Sequence, residues 1–343
     1  MHRNRYPKIF TGTCFVYSRN NMHFRKHILF ALASLLSLSA GAQAIDNTLS
    51  YKNIGSNSYF RLNYENDFFS ATDKYYTQGI HVELVAPWVK KFPVSKILVH
   101  PNFSNIRYGV ALEHEGYTPS DYTVPYILYG DRPFAACFFL KTFLIATDSA
   151  KKQRFSSSVS TGVIGQAAGG AEMQTGIHRW LHDETPYGWP NQIHNDAILN
   201  YQVDYEKQLI SLGHFLSIDA DAMARAGTLS DKVNIGTTII FGYFDDPFSN
   251  VAATAKNLRV YAYEHAAVNA VGYDATLEGG VFDKTSPYTI SAKEVTPFVF
   301  ENRFGFVVQY RRFWLEYFQS LLSNEFTSGN YHVWGGVQVA FGL

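Results

Sequence analysis

The chain has 343 residues, aromatic side chains make up 16% of it, and its 29 basic and 29 acidic residues cancel. The balance is local. Residues 1–44 hold six basic residues and no acidic one, so the remainder carries 23 basic against 29 acidic residues, a net charge of −6. A net acidic chain argues against nucleic acid as a partner.

The leader comes first. Met22 is followed by a basic stretch, 23–27, an apolar stretch, 28–38, and the small-x-small site Ala42-Gln43-Ala44. This pattern predicts a secretory signal peptide over 22–44, cleaved after Ala44 and preceded by a 1–21 extension. Residues 45–343 are then expected to form a single domain. Of the two cysteines, Cys14 lies in the leader, which leaves Cys137 alone and no intrachain disulfide. After the leader no apolar run approaches the length of a membrane-spanning helix.

The rest of the chain is dominated by alternation with period two. Phe60, Leu62 and Tyr64 alternate with Arg61, Asn63 and Glu65; Ile80, Val82 and Leu84 alternate with His81 and Glu83. The same pattern predicts strands over 59–65, 75–86, 106–113, 134–147, 155–164, 198–211, 214–226, 233–244, 258–271, 295–306, 307–322 and 331–343. The last carries an apolar stripe, Val337, Val339, Phe341 and Leu343. Twelve strands, a secretory leader and abundant Tyr and Phe predict an all-β transmembrane antiparallel barrel, with aromatic rings at its two interfaces. A soluble β-sandwich or lipocalin-like barrel shares the alternation alone.

Between two strands the segment 169–182 breaks the pattern. A double glycine leads into helix formers, and Pro186 and Pro190 come after, so a short helix within a long extracellular loop is expected. Further loops are expected at 119–132, 245–257 and 283–294.

Two groups of residues point to chemistry. At the tip of the first hairpin, Asn66 and Asp67 offer hard oxygen ligands suited to Ca²⁺, and Thr77 opens the next strand. On the loop helix, Gln174 and His178 are four apart and share a face. A cation that polarises an ester carbonyl and a histidine that activates water need no serine nucleophile. No GxSxG motif occurs in the chain. A zinc pair, His178 with His182, lacks the adjacent glutamate, since Arg179 stands there.

Taken together, Glu65-Asn66-Asp67, the block Tyr75-Tyr76-Thr77-Gln78-Gly79, Tyr117-Thr118-Pro119, the run from Gly130 to Ala135, Gly162-Val163-Ile164-Gly165 and the segment 169–178 resemble, in order, the outer-membrane lipid A 3′-O-deacylases. The resemblance implies a twelve-stranded barrel with its site near the outer end, between the wall and the loop helix. It implies Ca²⁺-dependent hydrolysis of the 3′ ester of lipid A, the lipid anchor of lipopolysaccharide, by a chain expected to act as a monomer in the outer membrane. His178 would be the general base, with Asn66 and Asp67 at the metal or oxyanion. Thr77, Gln174 and Glu184 would complete the polar site. The loop 117–129 has no Lys or Arg, so Arg132 or Arg179 would meet the lipid phosphate. Phe134-Ala135-Ala136 departs from the family's Tyr-Ala-Gly. A non-catalytic porin or adhesin is the rival, followed by a barrel phospholipase, which would use a serine.

Overall fold

The structure is a computed structural model that describes residues 47–70, 74–249 and 258–343. The leader 1–44 and the 250–257 part of the expected 245–257 loop lie outside the described residues. Twelve strands close into an antiparallel barrel, each hydrogen-bonded to its neighbours in sequence, with β1 (Tyr59–Asn66) sealing against β12 (His332–Gly342). The others are β2 (Tyr75–Val85), β3 (Asn105–Thr118), β4 (Ala135–Asp148), β5 (Gln153–Ile164), β6 (Asp196–Leu212), β7 (Leu216–Gly227), β8 (Ser230–Tyr243), β9 (Leu258–Asp274), β10 (Phe298–Tyr310) and β11 (Phe313–Leu322). Among the described residues, two short α-helices, α1 (Gly170–Leu181) and α2 (Ala275–Glu278), lie in loops.

The polarity of the wall is inverted relative to a soluble barrel. On β6 the buried, inward set includes Asn200, Gln202, Asp204 and Glu206, while Leu199, Tyr201, Val203 and Tyr205 face out. On β1, Arg61, Asn63 and Glu65 point in, and Phe60 and Leu62 point out. An apolar exterior around a polar interior is what hydrocarbon outside the barrel requires. The loops 165–195 and 275–297 sit at one end, and the tight turns at 149–152, 213–215 and 311–312 at the other. The end with the longer loops is the extracellular one, by the usual disposition of such barrels.

The lumen is filled in a way the alternation does not foretell. Residues 47–58 enter it from the turn end. Ser50 donates from its backbone N–H to Glu206 at 2.9 Å, and Lys52 Nζ lies 2.8 Å from Glu316. The guanidinium of Arg61 donates to the carbonyls of Asn47 and Lys52, that of Arg154 to Thr48, and that of Arg107 to Ile54 and Ser56. The Tyr51 ring rests 4.3 Å from that of Tyr263. Above this segment His81 sits between Glu65 and Glu113, 3.4 Å from each, and Lys141 pairs with Glu113. A buried charge without a partner is costly, and these inward cations face carboxylates or backbone carbonyls.

Two boundaries differ clearly from the sequence reading: the strand expected over 106–113 continues to Thr118, and the reversal between β10 and β11 is displaced. The turn expected between 306 and 307 falls at Arg311 and Arg312, where Arg311 takes a left-handed φ of 54°. Alternation runs unbroken from Phe298 to Tyr310, and no glycine or proline marks the reversal, so the pattern could not locate it.

A filled lumen has an electrical consequence. The purified chain in planar bilayers is expected to show no sustained porin-scale conductance. Large, stable open channels would show that residues 47–58 do not occupy the lumen as described.

Candidate active site on the outer wall

The site is built on the lipid-facing surface at the extracellular rim. At the end of β1 the alternation sends Glu65 inward, where it accepts from Trp334 Nε1 at 2.8 Å, and leaves Asn66 outside. Glu65 therefore does not join the rim cluster. Asn66 closes the hairpin: its Nδ2 donates to the Thr77 carbonyl at 2.6 Å, and its Oδ1 accepts from the Phe68 N–H at 2.7 Å. Asp67, buried, accepts from the Lys74 N–H at 2.5 Å.

Thr77 sits in a β-bulge, since the β2–β3 register shifts between Tyr76 and Gln78. Tyr76 packs inward on Tyr117 and Trp334, so the extra residue lets Thr77 face the outer surface. There it meets α1.

The helix lies against the wall because its buried positions are spaced by four: Gly170, Gln174 and His178. A Cβ on Gly170 would fall 2.4 Å from the Ala136 Cβ and 2.7 Å from the Trp189 ring, so only glycine permits this approach. The methyl of Ala136, a departure from the family pattern, is thereby accommodated. Phe134 packs its ring 5.1 Å from that of Trp189. Gln174 is braced at both ends. Its Nε2 donates to Thr77 Oγ1 at 3.1 Å, and its Oε1 accepts from Trp189 Nε1 at 2.6 Å.

The helix stops when His182 adopts a left-handed φ of 59°, with the Asp183 N–H returning to the His178 carbonyl at 2.9 Å. The turn brings the Glu184 carbonyl 2.6 Å from His178 Nδ1. A carbonyl only accepts, so Nδ1 donates and Nε2 is left with its lone pair. The Tyr122 ring meets the imidazole edge-on, at 5.1 Å and 89°. His182 is exposed, away from the buried stripe that carries His178.

The structure thus brings together Thr77, Gln174 and His178 on α1 and the wall, with Asn66 joined to Thr77. It treats three sequence candidates differently. The Glu184 carboxylate is exposed, and the contribution of this residue is its backbone carbonyl. Gln174 spends both ends of its amide on the scaffold. Arg132 is buried, pairs with Glu325, donates to Thr276 Oγ1 at 2.7 Å and stacks 4.4 Å from the centre of the Tyr117 ring. It ties α2 to the neighbouring loops and is not an exposed phosphate contact. Burial pushes the Glu325 carboxyl up to about 7, and the Arg132 guanidinium opposes that shift. Arg179, beside His178, is exposed.

Tyr122 and Trp189 carry no distinctive sequence signal. Trp189 stands next to Pro190, which registered only as a helix terminator, and Tyr122 was one of several tyrosines in a loop.

No group of three His, Cys, Asp or Glu arranged to hold a metal ion occurs among the described residues. Among the described residues, the hairpin tip offers oxygen donors, the buried Asp67 carboxylate and the Asn66 amide oxygen. That chemistry fits a hard cation whose remaining ligands are neutral oxygens.

A closed twelve-stranded barrel with a polar lumen and an apolar exterior defines an integral outer-membrane barrel, here with a polar cluster under a loop helix on its lipid-facing rim. A model of the family described as outer membrane protein LpxR matches residues 28–343, and the chain belongs to that family. Among solved structures, LpxR from Salmonella typhimurium is similar over 83% of this chain and 100% of its own, at 18% identity and a TM-score of 0.69. The β-domain of the Bordetella autotransporter BrkA covers 83% of this chain and 98% of its own, at 8% identity and a TM-score of 0.41. No curated protein sequence matches.

The brace at Gln174 makes a local prediction. Gln174→Ala removes both hydrogen bonds and leaves Trp189 Nε1 buried without an acceptor. One lost bond of about 1.4 kcal/mol corresponds to roughly a tenfold change in an opening equilibrium. Limited proteolysis within 165–195 should therefore quicken by about tenfold or more, while the barrel body stays resistant. Unchanged cleavage would mean that α1 is held by other contacts.

Proposed function

We propose that this protein is an outer-membrane esterase that hydrolyses the 3′-linked acyl or acyloxyacyl chain of lipid A, with His178 as general base. The observation that carries the reading is the orientation of His178. Its Nδ1–H is held by the Glu184 carbonyl, so Nε2 is presented as an acceptor on the outer wall. Family membership supports the reaction class, and the resemblance of the motifs supports the 3′ position.

In this reading Nε2 takes a proton from water as the oxygen attacks the ester carbonyl. Collapse breaks the bond to the sugar oxygen, and the imidazolium returns the proton to that leaving oxygen. The products are a free fatty acid and a sugar hydroxyl, and no serine intermediate is formed. Asp67 and Asn66 would hold a Ca²⁺ ion, which would supply positive charge to polarise the ester carbonyl. Gln174 and Trp189 fix Thr77 and the helix, Tyr122 restrains the imidazole, and Arg179 is the exposed cation assigned to the lipid A phosphate.

The location suits the substrate. Lipid A keeps its acyl chains in hydrocarbon, and a site on the outside of the wall is reached by lateral diffusion without entry to the lumen. A signal peptide over 22–44 and action as a monomer complete the proposal.

The test is mass spectrometry of lipid A incubated with the purified barrel in mixed micelles. Loss of the 3′ acyl mass is expected. His178→Ala should lower turnover by about a hundredfold or more, the usual scale for a general base, with the folded barrel retained. Chelation should abolish activity and added Ca²⁺ restore it. Near-normal turnover in the His178 variant removes the histidine from the mechanism, and full activity in excess chelator removes the metal.

A further inference from the structure

At the periplasmic end the outer wall carries a second covering. Between β2 and β3, residues 86–104 contain no Asp or Glu but three lysines, Lys90, Lys91 and Lys96. The segment forms two 3-10 turns, Pro87–Lys91 and Pro93–Ile97, each opened by its proline. It does not hang free. Ala86, Val89 and Leu98 pack on Tyr108, Leu144 and Val159, which are outward-facing positions of β3, β4 and β5. The Tyr201 hydroxyl accepts from the Val99 N–H at 2.9 Å and donates to the Ile97 carbonyl at 3.0 Å.

The other face is turned to the surroundings. Trp88 is 48% exposed, Ile97 58% and Val99 55%, and Phe92 lies 5.5 Å from Trp88, ring to ring. Beside them the three lysines are exposed, and none has an ion-pair partner among the described residues. A cleft of about 380 Å³ opens next to them, lined by Lys90, Arg107, Asn57, Ser104 and Asn105 among others, with no carboxylate in its lining.

We propose that 87–99 is an interfacial clamp that binds the anionic phospholipid headgroups of the periplasmic leaflet, with a headgroup phosphate seated in the cleft beside Lys90. Three features select this occupant. The surface is continuous with the lipid-facing wall, at the height where the strands end. Its apolar part is a tryptophan, a phenylalanine and aliphatics, which sit at the boundary between acyl chains and headgroups. Its charge is cationic, and lysine stems reach from that boundary to phosphates. The clamp would fix the barrel's height, so that α1, at the opposite rim, meets the outer leaflet.

The test uses the full chain reconstituted in phosphatidylcholine bilayers that contain an equal small fraction of either brominated phosphatidylglycerol or brominated phosphatidylcholine. Trp88 quenching is isolated by subtracting the signal of Trp88→Phe. Phosphatidylglycerol should quench Trp88 severalfold more than phosphatidylcholine. The preference should shrink at high salt, vanish in K90Q/K91Q/K96Q and survive in K90R/K91R/K96R. Parity between the two lipids in the unaltered protein overturns the proposal, as does a preference insensitive to salt or retained in the glutamine variant. Quenching by neither lipid overturns it too, and points to a protein partner or a second copy over this face. The salt series needs only Trp88→Phe, so the proposal is testable even where the triple variant fails to fold.

Discussion

The hydrogen bond from His178 Nδ1 to the Glu184 carbonyl, 2.6 Å long, is the contact on which the site depends. It decides which imidazole nitrogen holds the proton, and hence which one can take another. Making it requires a sequence of backbone decisions. Gly170 lets α1 touch the wall, the spacing of four points Gln174 and His178 the same way, and His182 in a left-handed conformation folds the chain back. Each is a local conformational choice, and together they deliver a carbonyl to one atom.

The membrane imposes the setting for that contact. Hydrocarbon around the barrel drives the apolar alternate positions outward and the polar ones in, so the lumen becomes a crowded ionic interior. Residues 47–58 and the Arg61, Arg107 and Arg154 guanidinium groups complete it. Outside the wall, polar side chains are tolerated only under cover. α1, Trp189 and Tyr122 provide that cover for Thr77 and His178. The bulge at Thr77 is the device that breaks strict alternation and places a hydroxyl on the outer face.

How much of this was legible depended on whether a feature is periodic. Alternation indicates twelve strands but ends β3 early and misplaces the β10–β11 reversal, and the double glycine with the later prolines marks α1. Glu65 and Asn66 are adjacent in the hairpin-tip motif, but the parity of β1 divides them: Glu65 goes to the lumen and Asn66 to the rim. Parity was available from the sequence, and it outweighs proximity along the chain. Segments 47–58 and 86–104 were not legible, because each is aperiodic and is ordered by surfaces assembled from distant strands. Arg132 read as a phosphate contact from its place in a loop, and its burial against Glu325 depends on a residue far along the chain. Glu184 follows only from the family resemblance, as part of the polar site; its contact with His178 is made by its backbone carbonyl, which no side-chain pattern encodes.

The central claim is that His178 is held with its proton on Nδ1 and its lone pair on Nε2. The most direct measurement is the ¹⁵N chemical-shift pattern of the His178 imidazole in the full chain in detergent micelles, assigned by comparison with the His178→Ala variant. In the neutral form the account predicts a protonated Nδ1 and an unprotonated Nε2. A neutral ring protonated at Nε2, or one exchanging freely between the two tautomers, would contradict it.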